Sequence, residues 1–110
     1  MSKQTVSLCE QKRSGVSIYV DASLYDGKLT ISGQDIGQAA EDFWGDDDYE
    51  YWLSFSPEAT EKFFKLLCAN KPGEDPLDVL KKRFHGPGAF SGIRAFCAQH
   101  GIAVKFDSYS

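Results

Sequence analysis

The sequence predicts an α+β fold: a single domain, residues 1–110, with a mostly antiparallel sheet of about five strands and three or four helices packed on one face. The first part of the chain alternates apolar and polar residues with the period of a β-strand. The second part twice shows a capping residue followed by proline, which is typical of a helix start. The chain has 110 residues, of which 42% are hydrophobic, so it is long enough to bury a core of its own.

A β-hairpin is the clearest local feature. Residues 16–25 alternate apolar and polar side chains, and residues 28–33 do so again. Asp26-Gly27 stands between them, and these residue types tolerate the positive φ angles of a type I′ turn. A turn at this point pairs Leu24 with Leu29, so the apolar faces of the two strands coincide.

The other elements follow from the same patterns. Strands are predicted at 5–9, 49–55 and 102–107, helices starting at Pro57, Pro76 and Ala89, and a short helix at 35–44. Ser56 and Asp75 are the N-caps of the first two helices. The apolar stripe of the first helix is Ala59, Phe63, Leu66 and Leu67.

The polar residues of the strands define a second sheet face. Strand alternation assigns to it Tyr19, Tyr25, Thr30 and Trp52. An antiparallel sheet can leave such a face to solvent or to a partner.

Charge is distributed unevenly along the chain. The formal net charge is −4, but residues 29–61 carry nine acids and no Lys or Arg, whereas residues 62–106 have a net charge of +5. An acidic protein repels nucleic acid and anionic membranes, so we expect neither as a partner.

The acidic stretch also contains aromatic residues, and this combination predicts a contact surface. Aromatic anchors surrounded by charges give protein interfaces both affinity and a fast association rate. The predicted partner-binding residues are Trp44, Asp46, Asp47, Asp48, Glu50, Tyr51 and Trp52. The alternative is a solvated acidic face whose aromatic residues belong to the core.

The three cysteines and the N-terminal segment bear on location. Cys9, Cys68 and Cys97 form no CxxC pair, and an odd count favours a reducing compartment. The start of the chain has no apolar signal-peptide region, and no apolar run reaches the ~20 residues that span a bilayer. We therefore expect a cytoplasmic protein.

Motif searches favour a non-enzymatic role, with an enzyme as the open alternative. No catalytic residue, cofactor or metal site is predicted. Asp46, Asp48 and Glu50 have the spacing of the start of a calcium loop, but the sixth and twelfth positions are Tyr51 and Pro57 instead of Gly and Glu.

A second hypothesis places a small-ligand pocket, or a small enzyme's site, between two segments. Gln34 and Asp35 follow a predicted strand, and His85 adjoins the glycine-rich turn Gly86–Gly92. A third possibility is a homodimer formed through the polar sheet face.

The segment 29–37, followed by the acidic aromatic strand at 47–52, resembles small bacterial proteins of uncharacterised families. The size, acidity and helix-on-sheet plan are also similar to those of the immunity proteins of bacterial toxin systems. That resemblance implies an inhibitor that presents an acidic surface to a basic toxin domain.

Overall fold

The computed structural model describes residues 3–13, 16–37, 48–71 and 73–109. Within these ranges the chain forms five strands and three helices, which confirms the predicted α+β class. The elements are, in chain order, β1 (Gln4–Arg13), β2 (Val16–Tyr25), β3 (Lys28–Gly37), β4 (Asp48–Ser54), α1 (Pro57–Leu67), α2 (Pro76–Arg83), α3 (Ala89–Gln99) and β5 (Lys105–Tyr109).

The strands form one antiparallel sheet in the order β1-β2-β3-β4-β5. Strands that are consecutive in the sequence are therefore neighbours in the sheet. The three helices lie in the connection between β4 and β5, and β1 and β5 form the two edges.

The predicted hairpin is confirmed in type and register. Asp26 and Gly27 have φ angles of 53° and 75°, which is the left-handed backbone that a type I′ turn requires. Leu24 pairs with Leu29, as expected. Both strands have ten residues, so the hairpin extends further from its turn than the sequence pattern predicts.

One core joins the sheet to the helices. On the strands, Val20, Leu29, Ile31 and Leu53 are fully buried. From the helices, Phe63, Leu80, Ile93 and Cys97 enter the same cluster. The strand residues between these core positions are half-buried or exposed, so the two sheet faces differ in polarity.

Strand β1 contains a bulge that attaches it to the turn after α2. Ser7 pairs with Asp21 and Cys9 with Val20, so Leu8 is an extra residue on this strand. The carbonyl of Leu8 accepts a hydrogen bond of 2.9 Å from the N–H of Gly86. This bond holds the glycine-rich turn against the sheet.

The predicted helix caps are confirmed. The N–H of Ala59 donates to Ser56 Oγ at 3.1 Å, and the N–H of Leu77 donates to Asp75 Oδ1 at 2.9 Å. The apolar stripe of α1 is wrong at one position, because Leu66 is 37% exposed and Thr60 is buried instead. The Thr60 hydroxyl accepts a hydrogen bond from the N–H of Leu29, which connects α1 to β3.

The predicted short helix at 35–44 is wrong for residues 35–37, which continue β3. All three pair with β2, and Asp35 and Ile36 also pair with β4. Residues 38–44 lie outside the described part of the chain. The last strand starts at Lys105 instead of Ile102. The Ile102 N–H donates to the Cys97 carbonyl at 2.9 Å, so Ile102 belongs to the C-terminal motif of α3.

Candidate functional site

The predicted contact segment is only partly within the described residues. Trp44, Asp46 and Asp47 lie outside them, and Asp48 is the first backbone position of β4. Glu50 and Trp52 lie on the polar face of the sheet, in register with residues of β3.

Tyr51 does not belong to the same surface. Side chains alternate along a strand, so Tyr51 points to the face opposite Glu50 and Trp52. Its side chain is only 8% exposed and forms part of the core. The prediction that Tyr51 shares one contact surface with its two neighbours is therefore corrected.

A groove of about 200 Å³ lies on the polar face and crosses β2, β3 and β4. We call it the polar-face groove, and it is lined by Tyr19, Asp21, Ser32, Gly33, Gln34, Glu50 and Trp52.

The sheet register explains how this groove is built. Two rows of paired residues run across β2, β3 and β4. The first row is Tyr19, Gln34 and Glu50, and the second is Asp21, Ser32 and Trp52. Strands are about 4.8 Å apart and alternate residues about 6.7 Å apart, so the four corner residues mark an area of about 10 by 7 Å. The carboxylates of Asp21 and Glu50 occupy one diagonal of this area, and the aromatic rings of Tyr19 and Trp52 occupy the other.

Both carboxylates of the groove are half-buried. Among the described residues, the ion pairs are Lys65–Glu61 and Lys82–Glu74, and neither involves Asp21 or Glu50. No described Lys or Arg lines the groove. Within the described part of the chain, its two carboxylates thus lack an ion-pair partner and lie beside aromatic rings, a combination that favours cations.

Asp21 was not among the predicted site residues, although the strand pattern assigns it to the polar face. Asp21 alternates with the apolar residues of β2 and so shares a face with Tyr19, which was assigned to the polar face. Only the pairing with β3 and β4 brings it near Glu50.

Beside this groove the polar face becomes basic. A hollow of about 460 Å³ shares Ser32 and Trp52 with the groove, and its other lining residues are Lys3, Ser23, Tyr25, Lys28 and Thr30. The polar face thus has an acidic part and a basic part, and Trp52 stands between them.

A cleft of about 260 Å³ lies on the other side of the sheet. We call it the Asp35 cleft, and it is lined by Ile18, Asp35, Tyr49, Tyr51, Pro87, Phe90, Ser91, Arg94 and Phe106.

Tyr51 and Gly33 fix the orientation of the Asp35 carboxylate. The Tyr51 hydroxyl donates a hydrogen bond of 2.8 Å to Asp35 Oδ1. The Tyr51 ring lies directly over Gly33, where an added Cβ would be 2.0 Å from the ring carbon Cε2. Burial and the bond to Asp35 raise the pKa of Tyr51 well above its usual value, so the hydroxyl stays protonated and remains a donor.

Arg94 is the basic group of the cleft. It projects from α3, and its guanidinium carbon lies 4.1 Å from the centre of the Phe106 ring. Phe106 is also in edge contact with Phe90, at 6.0 Å between ring centres. Arg94 was not a predicted site residue, because its place in the cleft depends on how α3 packs beside β5.

The structure brings together some residues of the second hypothesis and separates others. Asp35 shares the cleft with Pro87 and Ser91 of the glycine-rich turn and helix start. Gln34 lies on the polar face, since it follows the strand alternation. His85 is exposed, with Nδ1 3.2 Å from the carbonyl oxygen of Lys81, and does not line the cleft.

The described residues contain no cluster of three or more His, Cys, Asp or Glu side chains that could hold a metal ion. The described helices are too short or too polar to cross a membrane. All three cysteines are free thiols.

Comparisons with protein-family models, with curated proteins and with solved structures give no match for this chain.

Proposed function

We propose that this protein is a non-enzymatic protein-binding module whose polar-face groove receives a cationic side chain of a basic partner. The observation that carries the proposal is the pair of carboxylates Asp21 and Glu50, which form no ion pair with a described side chain. They stand at opposite corners of a groove bounded by Tyr19 and Trp52. The proposal includes the predicted packing of the helices on the core side, which leaves the polar face free.

The chemistry of the groove suits arginine better than lysine. A guanidinium group is planar, so it can stack on Trp52 or Tyr19, and its five N–H donors point in several directions. It can therefore reach Asp21 and Glu50 from one position between them. An ammonium group is compact and strongly hydrated and has no flat surface to stack.

Charge complementarity points to a protein partner with a basic surface. The carboxylates attract such a surface before contact, and the aromatic side chains then supply buried area. A basic toxin or nuclease domain is the class of partner that the resemblance to immunity proteins implies. Trp44, Asp46 and Asp47 precede β4 in the sequence and remain predicted members of this contact surface.

The experiment compares three forms of the protein in affinity capture at low salt from the source cells. The groove variant is Asp21→Asn with Glu50→Gln, and the matched control is Glu58→Gln with Glu61→Gln on α1, where both side chains are exposed. Each variant removes two negative charges, so the net charge changes equally. We expect a basic protein to be retained by the wild type and the α1 variant, and lost from the groove variant.

The captured protein is then titrated against Trp52→Ala. We expect binding at least tenfold weaker, because truncating an aromatic residue that acts as an interface hot spot costs about 2 kcal/mol or more. Equal capture by all three forms, or no capture by any, contradicts the proposal.

A further inference from the structure

We propose that the Asp35 cleft binds a small zwitterion, an α-amino acid with an aromatic or large apolar side chain. This site does not depend on the proposed function, because the polar-face groove is on the other side of the sheet.

The Asp35 carboxylate is the negatively charged group of the cleft. The Asp35 carboxylate is half-buried. The Tyr51 hydroxyl donates to its Oδ1 atom at 2.8 Å and so fixes its orientation. Tyr51 is in turn held between Gly33 and the edge contact with Phe90, at 4.5 Å between ring centres. The remaining lone pairs of the carboxylate are oriented before a ligand arrives, which lowers the cost of binding an ammonium group.

The other charged group of the cleft is positive. The Arg94 guanidinium rests on the Phe106 ring at 4.1 Å, so the ring supports one of its faces and its edge N–H groups remain available. The Ser91 hydroxyl lies in the same lining. The guanidinium and the hydroxyl are donors that suit a carboxylate.

Asp35 and Arg94 line one cleft without forming an ion pair with each other or with any described side chain. If the cleft served only to neutralise them, direct contact would be the simplest arrangement. Two separated, opposite charges match a ligand that carries both an ammonium and a carboxylate group.

The walls and the size select the rest of the ligand. Tyr49, Tyr51, Phe90 and Phe106 supply aromatic surface, and Tyr49 and Phe106 are 39% and 37% exposed. Aromatic walls favour an aromatic or large apolar side chain. The volume of about 260 Å³ is below the ~300–1,000 Å³ typical of drug-sized ligands, so the ligand is small.

The test uses L-phenylalanine and two analogues that each lack one charge. 3-Phenylpropionate has no ammonium group, and 2-phenylethylamine has no carboxylate. Calorimetric titration of the wild-type protein is expected to show binding of L-phenylalanine and at least tenfold weaker binding of either analogue.

Two variants then assign each charge to its residue. Asp35→Asn keeps an oxygen that accepts from Tyr51, and is expected to weaken binding of L-phenylalanine and phenylethylamine tenfold but not that of phenylpropionate. Arg94→Gln is expected to weaken binding of L-phenylalanine and phenylpropionate but not that of phenylethylamine. The controls are Asp78→Asn, at an exposed position of α2, and Arg83→Gln, whose arginine stacks on Phe96 at 4.8 Å outside the cleft.

Thermal unfolding of each variant verifies that it is folded before titration. The proposal is overturned if folded wild-type protein binds no L-phenylalanine at millimolar concentration, or if the analogues bind as tightly as the amino acid. It is also overturned if the control variants weaken binding as much as the cleft variants do.

Discussion

Gly33 shows how one missing side chain determines the form of a site. It pairs with Tyr51 across the sheet, and the space that a Cβ would occupy is filled by the tyrosine ring. The ring covers the backbone there, and its hydroxyl reaches Asp35. The Asp35 cleft therefore depends on a glycine that is not among its lining residues.

Gly33→Ala is expected to destabilise the fold by about 1–3 kcal/mol, because the new methyl group displaces the Tyr51 ring. Urea denaturation measures the loss. The control is the same change in a Tyr51→Leu background, where the cost is expected to be smaller since the ring is absent. An equal cost in both backgrounds would contradict a steric conflict with the ring.

Cys97 is a buried thiol whose ionisation opposes folding. Burial raises the pKa of Cys97 from 9.0 to about 11. Above pH 9 the unfolded chain loses this proton while the folded chain keeps it, so the unfolded state binds fewer protons. The free energy of unfolding is then lowered progressively as the pH rises from about 9 to about 11.

Replacing Cys97 by alanine removes this contribution. The variant loses packing at neutral pH, but its difference in stability from the wild type is expected to shrink between pH 8 and pH 10.5. Denaturation of both proteins across this range tests the prediction. A difference that stays constant with pH would show that the pKa of Cys97 is the same in the folded and unfolded states.

At the scale of the elements, local chemistry determines where helices begin and end. Ser56 and Asp75 each accept a hydrogen bond from a first-turn N–H, and each is followed by proline. Gly101 follows α3 and has a φ angle of 67°. The N–H of Ile102 then donates to the carbonyl of Cys97. These contacts satisfy backbone groups that the helix itself leaves unpaired.

Ser56→Ala is expected to lower the free energy of unfolding by about 0.5–2 kcal/mol, since the N–H of Ala59 loses its acceptor. Ser56→Gly is the control, because glycine at this position costs only a few tenths of a kcal/mol. Chemical denaturation compares the three proteins. An equal loss for both variants would indicate that the side chain matters for another reason than capping.

At the scale of the whole molecule, stability comes from the core shared by sheet and helices. Phe63 is fully buried and contacts Phe55 and Phe96, with ring centres 5.3 and 5.5 Å away. By contrast, Lys65 Nζ lies 3.7 Å from Glu61 Oε1, and both side chains are mostly exposed. Exposed pairs of this kind contribute little, because water and salt screen them.

Phe63→Ala is therefore expected to cost about 3–5 kcal/mol, and Lys65→Ala, two residues further along the same helix, less than about 0.5 kcal/mol. Far-ultraviolet circular dichroism and tryptophan fluorescence are both followed during denaturation. The two signals are expected to coincide, since helices and sheet share one core. Separate transitions would contradict this.

Sequence neighbours are a poor guide to surface neighbours in a sheet. Gln34 and Asp35 were predicted to share a pocket, and Tyr51 and Trp52 a contact surface, but each pair lies on opposite faces. Residues 35–37 were predicted to be helical, and within a strand their side chains alternate instead.

Sequence patterns alone were enough to predict the α+β class, the hairpin and its register, and the caps of two helices. These features depend on interactions between residues close in the chain. Only the tertiary structure placed Asp21 near Glu50 and Arg94 in the Asp35 cleft. Such groupings depend on strand order and helix packing, which join distant segments through a common core, and no local pattern encodes them.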